Sequence, residues 1–265
     1  MTTLRVAITG IGLLGPGLAS WTGGSALLRD PSAWQAAPTV VPPPGRLPPT
    51  ERRRAGTVVK ASLVVADEAV AMAGADAASL ATVFCSSTGD PANCHLLCEA
   101  LAAPERLVSP TRFTNSVHNA PAGYWHIACA SRAPSTSLAA FDASFAAGLL
   151  EAVVQCLASG APVLLVACDL PYPEPLHRLR PVADAFALAL VVAPADFIIG
   201  RGLALSVTSE ATATPCVHAG LEAVRLGIPA ARALPLLQAL AGAAAARVVI
   251  EGLPGLALHA EVAPR

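Results

Sequence analysis

A chain of 265 residues that is 54% hydrophobic, 13% charged and of net charge −1 is long enough for one large or two ordinary domains, and too weakly charged to grip nucleic acid by its phosphates. A mean hydropathy of +0.57 demands a large buried core or a wide surface covered by a partner. The most apolar uncharged runs, Ala185–Pro194 and Leu234–Ala246, fall short of the roughly 20 residues of a membrane span, so no membrane span is expected.

The N-terminus, MTTLRVAITG, enters a strand without a basic region and long apolar stretch before it. Together with an odd count of seven cysteines in mostly apolar segments, this implies reduced thiols and a cytoplasmic setting. Leu4–Thr9 reads as a buried strand. Gly10-Ile11-Gly12-Leu13-Leu14-Gly15 follows and matches G-x-G-x-x-G, the turn that lets a dinucleotide pyrophosphate approach a helix N-terminus. That turn needs a helix next, then a second strand and an acid about 20 residues on. Here Pro16 interrupts, Trp21-Thr22-Gly23-Gly24 is a poor helix former, and Asp30, the single acid before Glu51, ends no strand. No nucleotide cofactor is expected.

Residues 31–50 carry seven prolines and read as an irregular arm. Residues 52–74 show apolar positions at helical spacing and end at Gly74, a C-cap signal. The run Arg52-Arg53-Arg54 reads as a solvated helix start. Leu80–Phe84 is the next strand and leads into Cys85-Ser86-Ser87-Thr88-Gly89. Cys85 sits where a nucleophile could sit, but no histidine is tied to it in sequence, so a small buried residue is expected. Cys94 and Cys98 would share a helix face, yet a lone pair without a second pair at zinc spacing is a weak signal, and no metal is expected. Arg106–Phe113 reads as loop.

Phe113–Ala152 holds the densest Ser/Thr/Asn run, the adjacent Trp125-His126, and then an apolar helix over Ala146–Leu157. Pro162–Cys168 is a strand with Asp169 at its end, and residues 171–181, with four prolines, are loop. Ala183–Ala193, Gly202–Ser209 and Ala246–Ile250 read as strands, and Pro235–Ala245 as a helix with Pro235 suited to its first position. Leu256–Val262 alternates like a half-exposed terminal strand, where His259 is a solvated or satisfied side chain. Alternating strands and helices give an α/β class with helices covering a sheet, in one domain over residues 1–265.

Five segments in order carry a resemblance: RVAITGIGLLGPG, RRAGTVVKASLVVADEAVAMAGAD, ATVFCSSTGD, SVHNAPAGYWHIACASRAPSTSLAAFDASFAAGLLEA and GAPVLLVACD. They are similar, respectively, to the opening strand and turn, the first long helix, the following strand and glycine turn, the nucleophile segment and the next strand of β-ketoacyl-acyl-carrier-protein synthases. The similarity covers residues 4–195, and residues 196–265 resemble a shortened C-terminal part. It implies a thiolase-like fold, the N-terminal half of a ketosynthase.

By that resemblance Asp142 stands at the position of the family's cysteine, which sits at a helix N-terminus where the dipole favours thiolate. A carboxylate is a far weaker nucleophile toward a thioester, but a good N-cap. His118, His126 and His218 do not match the family's catalytic histidines. Phe145 replaces a small residue and narrows any acyl channel. The resemblance therefore implies no activity of the chain alone. It implies a chain-length-factor-like subunit, paired as a heterodimer with a full-length β-ketoacyl-ACP synthase and meeting acyl carrier protein indirectly. The setting would be type II polyketide, aryl polyene or fatty-acid-like biosynthesis. Ser116–Ala140 would then lie near the partner, with His118, Asn119, Tyr124, Trp125, Phe141 and Phe145 as interface or tunnel-wall residues. The alternative is an independent acyl-thioester hydrolase using Ser144 with His118, or a Cys85-dependent acyltransferase, although no G-x-S-x-G elbow supports either.

Overall fold

The computed structural model describes residues 2–196, 200–209 and 211–265. Strand β1 (Leu4–Leu14) is followed by α1 (Trp21–Arg29), α2 (Pro49–Arg54), α3 (Thr57–Ala73), β2 (Ala81–Cys85), α4 (Pro91–Ala102), α5 (Pro110–Thr114) and α6 (Ala120–Cys129). Then come β3 (Ser135–Leu138), α7 (Ser144–Ser159), β4 (Val163–Asp169), the short α8 (Leu176–Leu179), β5 (Phe186–Pro194) and β6 (Arg201–Ser209). Helix α9 (Ala219–Gly227), a 3-10 turn (Pro229–Ala233), α10 (Leu234–Ala241), β7 (Ala246–Glu251) and β8 (Leu256–Val262) complete the order. The described strands form one eight-stranded sheet in the order β3-β2-β4-β5-β1-β6-β8-β7. β2 runs parallel to both β3 and β4, and the remaining neighbours are antiparallel.

Both faces of the sheet are covered, which is why β4 and β5 read as continuous apolar runs rather than alternating ones. On one face α3 and α6 pack through Val59, Leu63, Val70 and Trp125. On the other, α1, α7 and α10 pack through Leu28, Leu149, Val153 and Leu237. The segment Phe141–Ser159 is long and apolar enough, by length and composition, to cross a membrane. Its apolar side is spent on the sheet, where Leu149, Ala152, Val153 and Cys156 are wholly buried.

Four sequence expectations change here. The G-x-G-x-x-G stretch is no turn: β1 runs through it to Leu14. Its glycines serve contact with α3, since a Cβ on Gly10 would lie 2.0 Å from the Ala69 carbonyl oxygen and one on Gly12 1.9 Å from that of Val65. The poor helix former at Trp21 does form a helix. Ser20 Oγ accepts from the Gly23 N–H, and the Glu68 carboxylate on α3 accepts from the N–H groups of Trp21 and Thr22. An acid supplied from another element thus satisfies helix-start donors that the local sequence leaves bare. The expected 52–74 helix divides at Ala55-Gly56 into α2 and α3. Asp90 packs against Gly56, where a Cβ would lie 2.5 Å from a carboxylate oxygen. The expected loop at 106–113 carries the start of α5. The expected αL cap at Gly74 is present, with φ 60°.

Candidate functional site

β2, β3 and β4 are parallel, so their C-terminal ends lie together at one edge of the sheet. The chain leaves β3, makes a tight turn over residues 139–143 and enters α7. Phe141 in that turn has φ 52°, a left-handed conformation costly for a bulky residue. Ser144 holds the turn closed: its hydroxyl accepts from the Ala140 N–H at 2.9 Å and donates to the Phe141 carbonyl at 2.7 Å. The Arg180 guanidinium lies over the Phe141 ring, 3.8 Å from its centroid, at cation–π distance.

Asp142 is the hub of this turn. Its Oδ1 accepts from Arg180 at 2.6 Å and its Oδ2 from Arg232 at 3.1 Å. Arg180 also donates to Ser87 Oγ at 2.6 Å, and Arg232 reaches Glu251 at 3.0 Å. The turn after β2, the turn before α7, the 171–185 loop, the 229–233 turn and the end of β7 are therefore joined by two arginines and two carboxylates, with no net charge. The expectation that Asp142 caps α7 is corrected: the N-cap residue is Ala143, with no side-chain cap bond. Two charge-assisted bonds to guanidinium outcompete one to a backbone N–H.

Behind the hub lies a buried acid. Asp169, 1% exposed at the end of β4, accepts through Oδ1 from Ser86 Oγ at 3.0 Å, the Ser87 and Thr88 N–H groups at 2.7 and 2.9 Å, and Thr88 Oγ1 at 3.3 Å. Burial pushes its carboxyl above the usual range, and these donors pull the other way. An open cleft of about 700 Å³ adjoins Asp142, bordered by Phe141, Arg232, Leu253 and Leu256. The exposed side chains of Phe141, Leu253 and Leu256 give it an apolar rim.

Among the described residues, the thiols and hydroxyls of this region are buried or committed to other bonds. Cys85 is buried, and desolvation, with the nearby Asp169 and Cys168, pushes its thiol well up. Burial takes the Cys129 and Cys156 thiols to about 11. The Ser144 hydroxyl is committed to backbone, and His118 is exposed in the segment before α6. Cys94 and Cys98 are exposed on α4, and among the described residues no group of three or more metal-ligating side chains exists.

Of the residues expected at an interface or tunnel wall, Trp125 and Phe145 are 0% and 2% exposed. They belong to this chain's own core, one on each face of the sheet. Tyr124 is half-buried and bonds Asn115 Oδ1 at 3.1 Å. His118 and Asn119 are exposed, and Phe141 stands 65% exposed beside Asp142. Arg180, Arg232, Ser87 and Glu251 were not anticipated. Arg180 sits in a proline-rich loop and Arg232 in a 3-10 turn, and neither carries a local signal.

The family model for the beta-ketoacyl synthase N-terminal domain matches residues 28–240. No curated protein sequence matches the chain. Three solved structures align over nearly all of it. One is the ketosynthase ApeO in complex with its chain length factor ApeC from Xenorhabdus doucetiae, with TM-score 0.71, 23% identity, and 99% of this chain and 100% of that chain covered. A second is the ishigamide ketosynthase/chain length factor, with TM-score 0.72, 14% identity, and 98% and 99% covered. The third is the type II polyketide synthase assembly AntDE:AntF, an acyl-carrier protein in complex with its ketosynthase, with TM-score 0.75, 11% identity, and 100% of both chains covered. The eight-stranded sheet with its covering helices is the thiolase-like ketosynthase fold.

Proposed function

The chain belongs to the beta-ketoacyl synthase N-terminal domain family, and from that premise we propose that it is a non-condensing subunit that pairs with an active β-ketoacyl-ACP synthase. Within that pair it shapes the acyl tunnel, as a chain length factor does, in type II polyketide or aryl polyene biosynthesis. The observation that carries this reading is Asp142 held between Arg180 and Arg232 at the position where the family's motif has cysteine. Claisen condensation needs a thiolate to take the acyl group and donors aimed at the developing oxyanion. A carboxylate neutralised by two guanidiniums offers neither. What the turn does offer is a rigid apolar surface, with Phe141 fixed above Arg180 and facing an open cleft.

Two further observations support pairing. In the ApeO–ApeC, ishigamide and AntDE:AntF structures the alignment covers essentially one whole chain of the assembly. Among the described residues β3 is an open sheet edge, and the segment between β2 and α7 exposes Leu107, Phe113, Val117, Ile127 and Phe141. Unpaired edges and exposed large apolar side chains are features that a partner covers. In this reading His118, Asn119, Tyr124 and Phe141 contribute to that surface.

Co-expression with a full-length ketosynthase, followed by native mass determination, tests the proposal. The expected result is a 1:1 complex whose elongation rate per assembled complex survives Asp142→Ala. A lone folded chain that turns over acyl thioesters, or a complex silenced by Asp142→Ala while still assembled, overturns it.

A further inference from the structure

The run Arg52-Arg53-Arg54 does two different jobs. Arg52 turns inward and donates to the carbonyls of Gly45 and Leu47 at 3.3 and 2.9 Å, pinning the proline-rich arm. Arg53 and Arg54 turn outward and, with Arg112 from α5, line a cleft of about 400 Å³. The hydroxyl-bearing Thr57, Ser109 and Thr111 also line it. The start of α3 opens on the same cleft, with Gly56 as N-cap and no side-chain cap bond.

The local acids do not neutralise this cleft. Glu51 makes only a 3.5 Å pair with Arg54, and Asp90, which lines the cleft and feels the charge of Arg112, caps α4 by accepting from the Asn93 N–H, so three arginines outnumber the acids. Among the described residues neither Arg53 nor Arg112 is in an ion pair. The flanking surface is apolar. Helix α4 buries only Pro91 and Asn93, leaving Leu96, which lines the cleft, and Leu101 exposed, as is Phe113, next to Arg112 in the chain. A free phosphate or small anion would use the arginines and leave the leucines wet. A protein surface with carboxylates among apolar side chains uses both.

We infer that the Arg53–Arg54–Arg112 cleft receives an acidic segment of the partner subunit, whose carboxylates enter the cleft while neighbouring apolar side chains cover Leu96 and Phe113. This rests on the proposed pairing with a ketosynthase and adds the chemistry of the contact. Charges at an interface rim steer encounter and reject wrong partners more than they add affinity. The cleft would therefore set association rate and partner choice.

The test compares wild-type chain, Arg53→Glu/Arg112→Glu and Arg53→Lys/Arg112→Lys, each with the full-length ketosynthase. Association rate is read at low and high ionic strength, and circular dichroism confirms each fold. Wild type should associate more slowly as salt rises. The glutamate variant should lose on the order of tenfold in rate at low salt and respond less to salt, and the lysine variant should stay near wild type. An unchanged rate and salt response in the glutamate variant overturns this inference and leaves the pairing intact. Salt-sensitive self-association of the chain alone, or loss of carrier-protein binding with an unchanged heterodimer, also overturns it by giving the cleft another occupant. Absence of any wild-type complex removes the pairing itself and this inference with it.

Discussion

Asp142 and Arg180 are 38 positions apart in the chain and 2.6 Å apart in space. Their contact spans two connections that the sheet alone leaves unlinked: the turn into α7 and the proline-rich loop between β4 and β5. Arg180 then continues to Ser87 Oγ, on the turn that cradles Asp169. The turn into α7 is thereby a structural crossing of three connections.

Asp142→Ala removes the only carboxylate on Arg180 among the described residues and one of two on Arg232. Charged hydrogen bonds of this partly buried kind contribute about 2 kcal/mol in sum, equivalent to a fall of roughly 4–8 °C in Tm for a domain of this size. Asp142→Asn, which keeps an acceptor, should fall between. A double-mutant cycle with Arg180→Ala checks the cause. The two losses should be non-additive by about 1 kcal/mol, as for residues in direct contact, and simple additivity would refute the link.

Asp169 separates charge from hydrogen bonding. Four donors converge on its Oδ1, and an amide oxygen can take the same place. Burial raises its carboxyl above the usual range, so its ionised form opposes folding. That contribution to stability is present at low pH and is lost as pH rises through the raised value. Asp169→Asn should therefore unfold at or above the wild-type temperature at neutral pH and show a smaller change with pH. Asp169→Ala orphans the Ser87 N–H and leaves the Thr88 N–H only its 3.2 Å bond to Ser86 Oγ, and should cost about 2 kcal/mol. Denaturant titrations of both variants at two pH values decide it, and equal losses for Asn and Ala would refute the account.

What the sequence made legible was whatever depended on neighbours along the chain. The apolar run at Ala183–Ala193 is β5 to within a few residues, and the alternating Leu256–Val262 is β8 as read. Gly74 ended its helix as its backbone freedom predicts. The misreadings share one physical cause, an interaction supplied from far away. Glu68 completes the start of α1 from 46 residues on. Asp142 found guanidiniums 38 and 90 residues away and so left the cap of α7 empty. Trp125 and Phe145, conspicuous as aromatics in a polar stretch, were drawn into opposite faces of the core.

Gly10 and Gly12 give a stability test of opposite sign to an ordinary helical glycine. Their missing side chains admit the backbone of α3, and alanine at either would collide with a carbonyl oxygen that cannot move without shifting the helix. Gly12→Ala should cost about 3 kcal/mol or more or prevent folding. Gly123, inside α6 with nothing within 4 Å of an added Cβ, should gain about 0.5–1 kcal/mol on substitution by alanine. Unfolding of the two variants, side by side, should show this difference of sign.

The open edge of β3 offers a test of pairing that leaves the chain's own sheet alone. Thr82 and Ser86 donate to the carbonyls of Pro134 and Leu138, so the alternate residues Ser135 and Ser137 turn their N–H and C=O groups away from β2. Proline is tolerated on an edge strand when the lost N–H faces outward. Ser137→Pro should thus preserve the fold by circular dichroism. If the ketosynthase partner extends the sheet across this edge, the substitution should abolish the 1:1 complex on size exclusion. If Thr136→Pro, which strikes the β2-facing N–H, unfolds the chain while Ser137→Pro neither unfolds it nor weakens the complex, the partner lies elsewhere. Phe113, Val117 and Ile127 would then be the surface to substitute next.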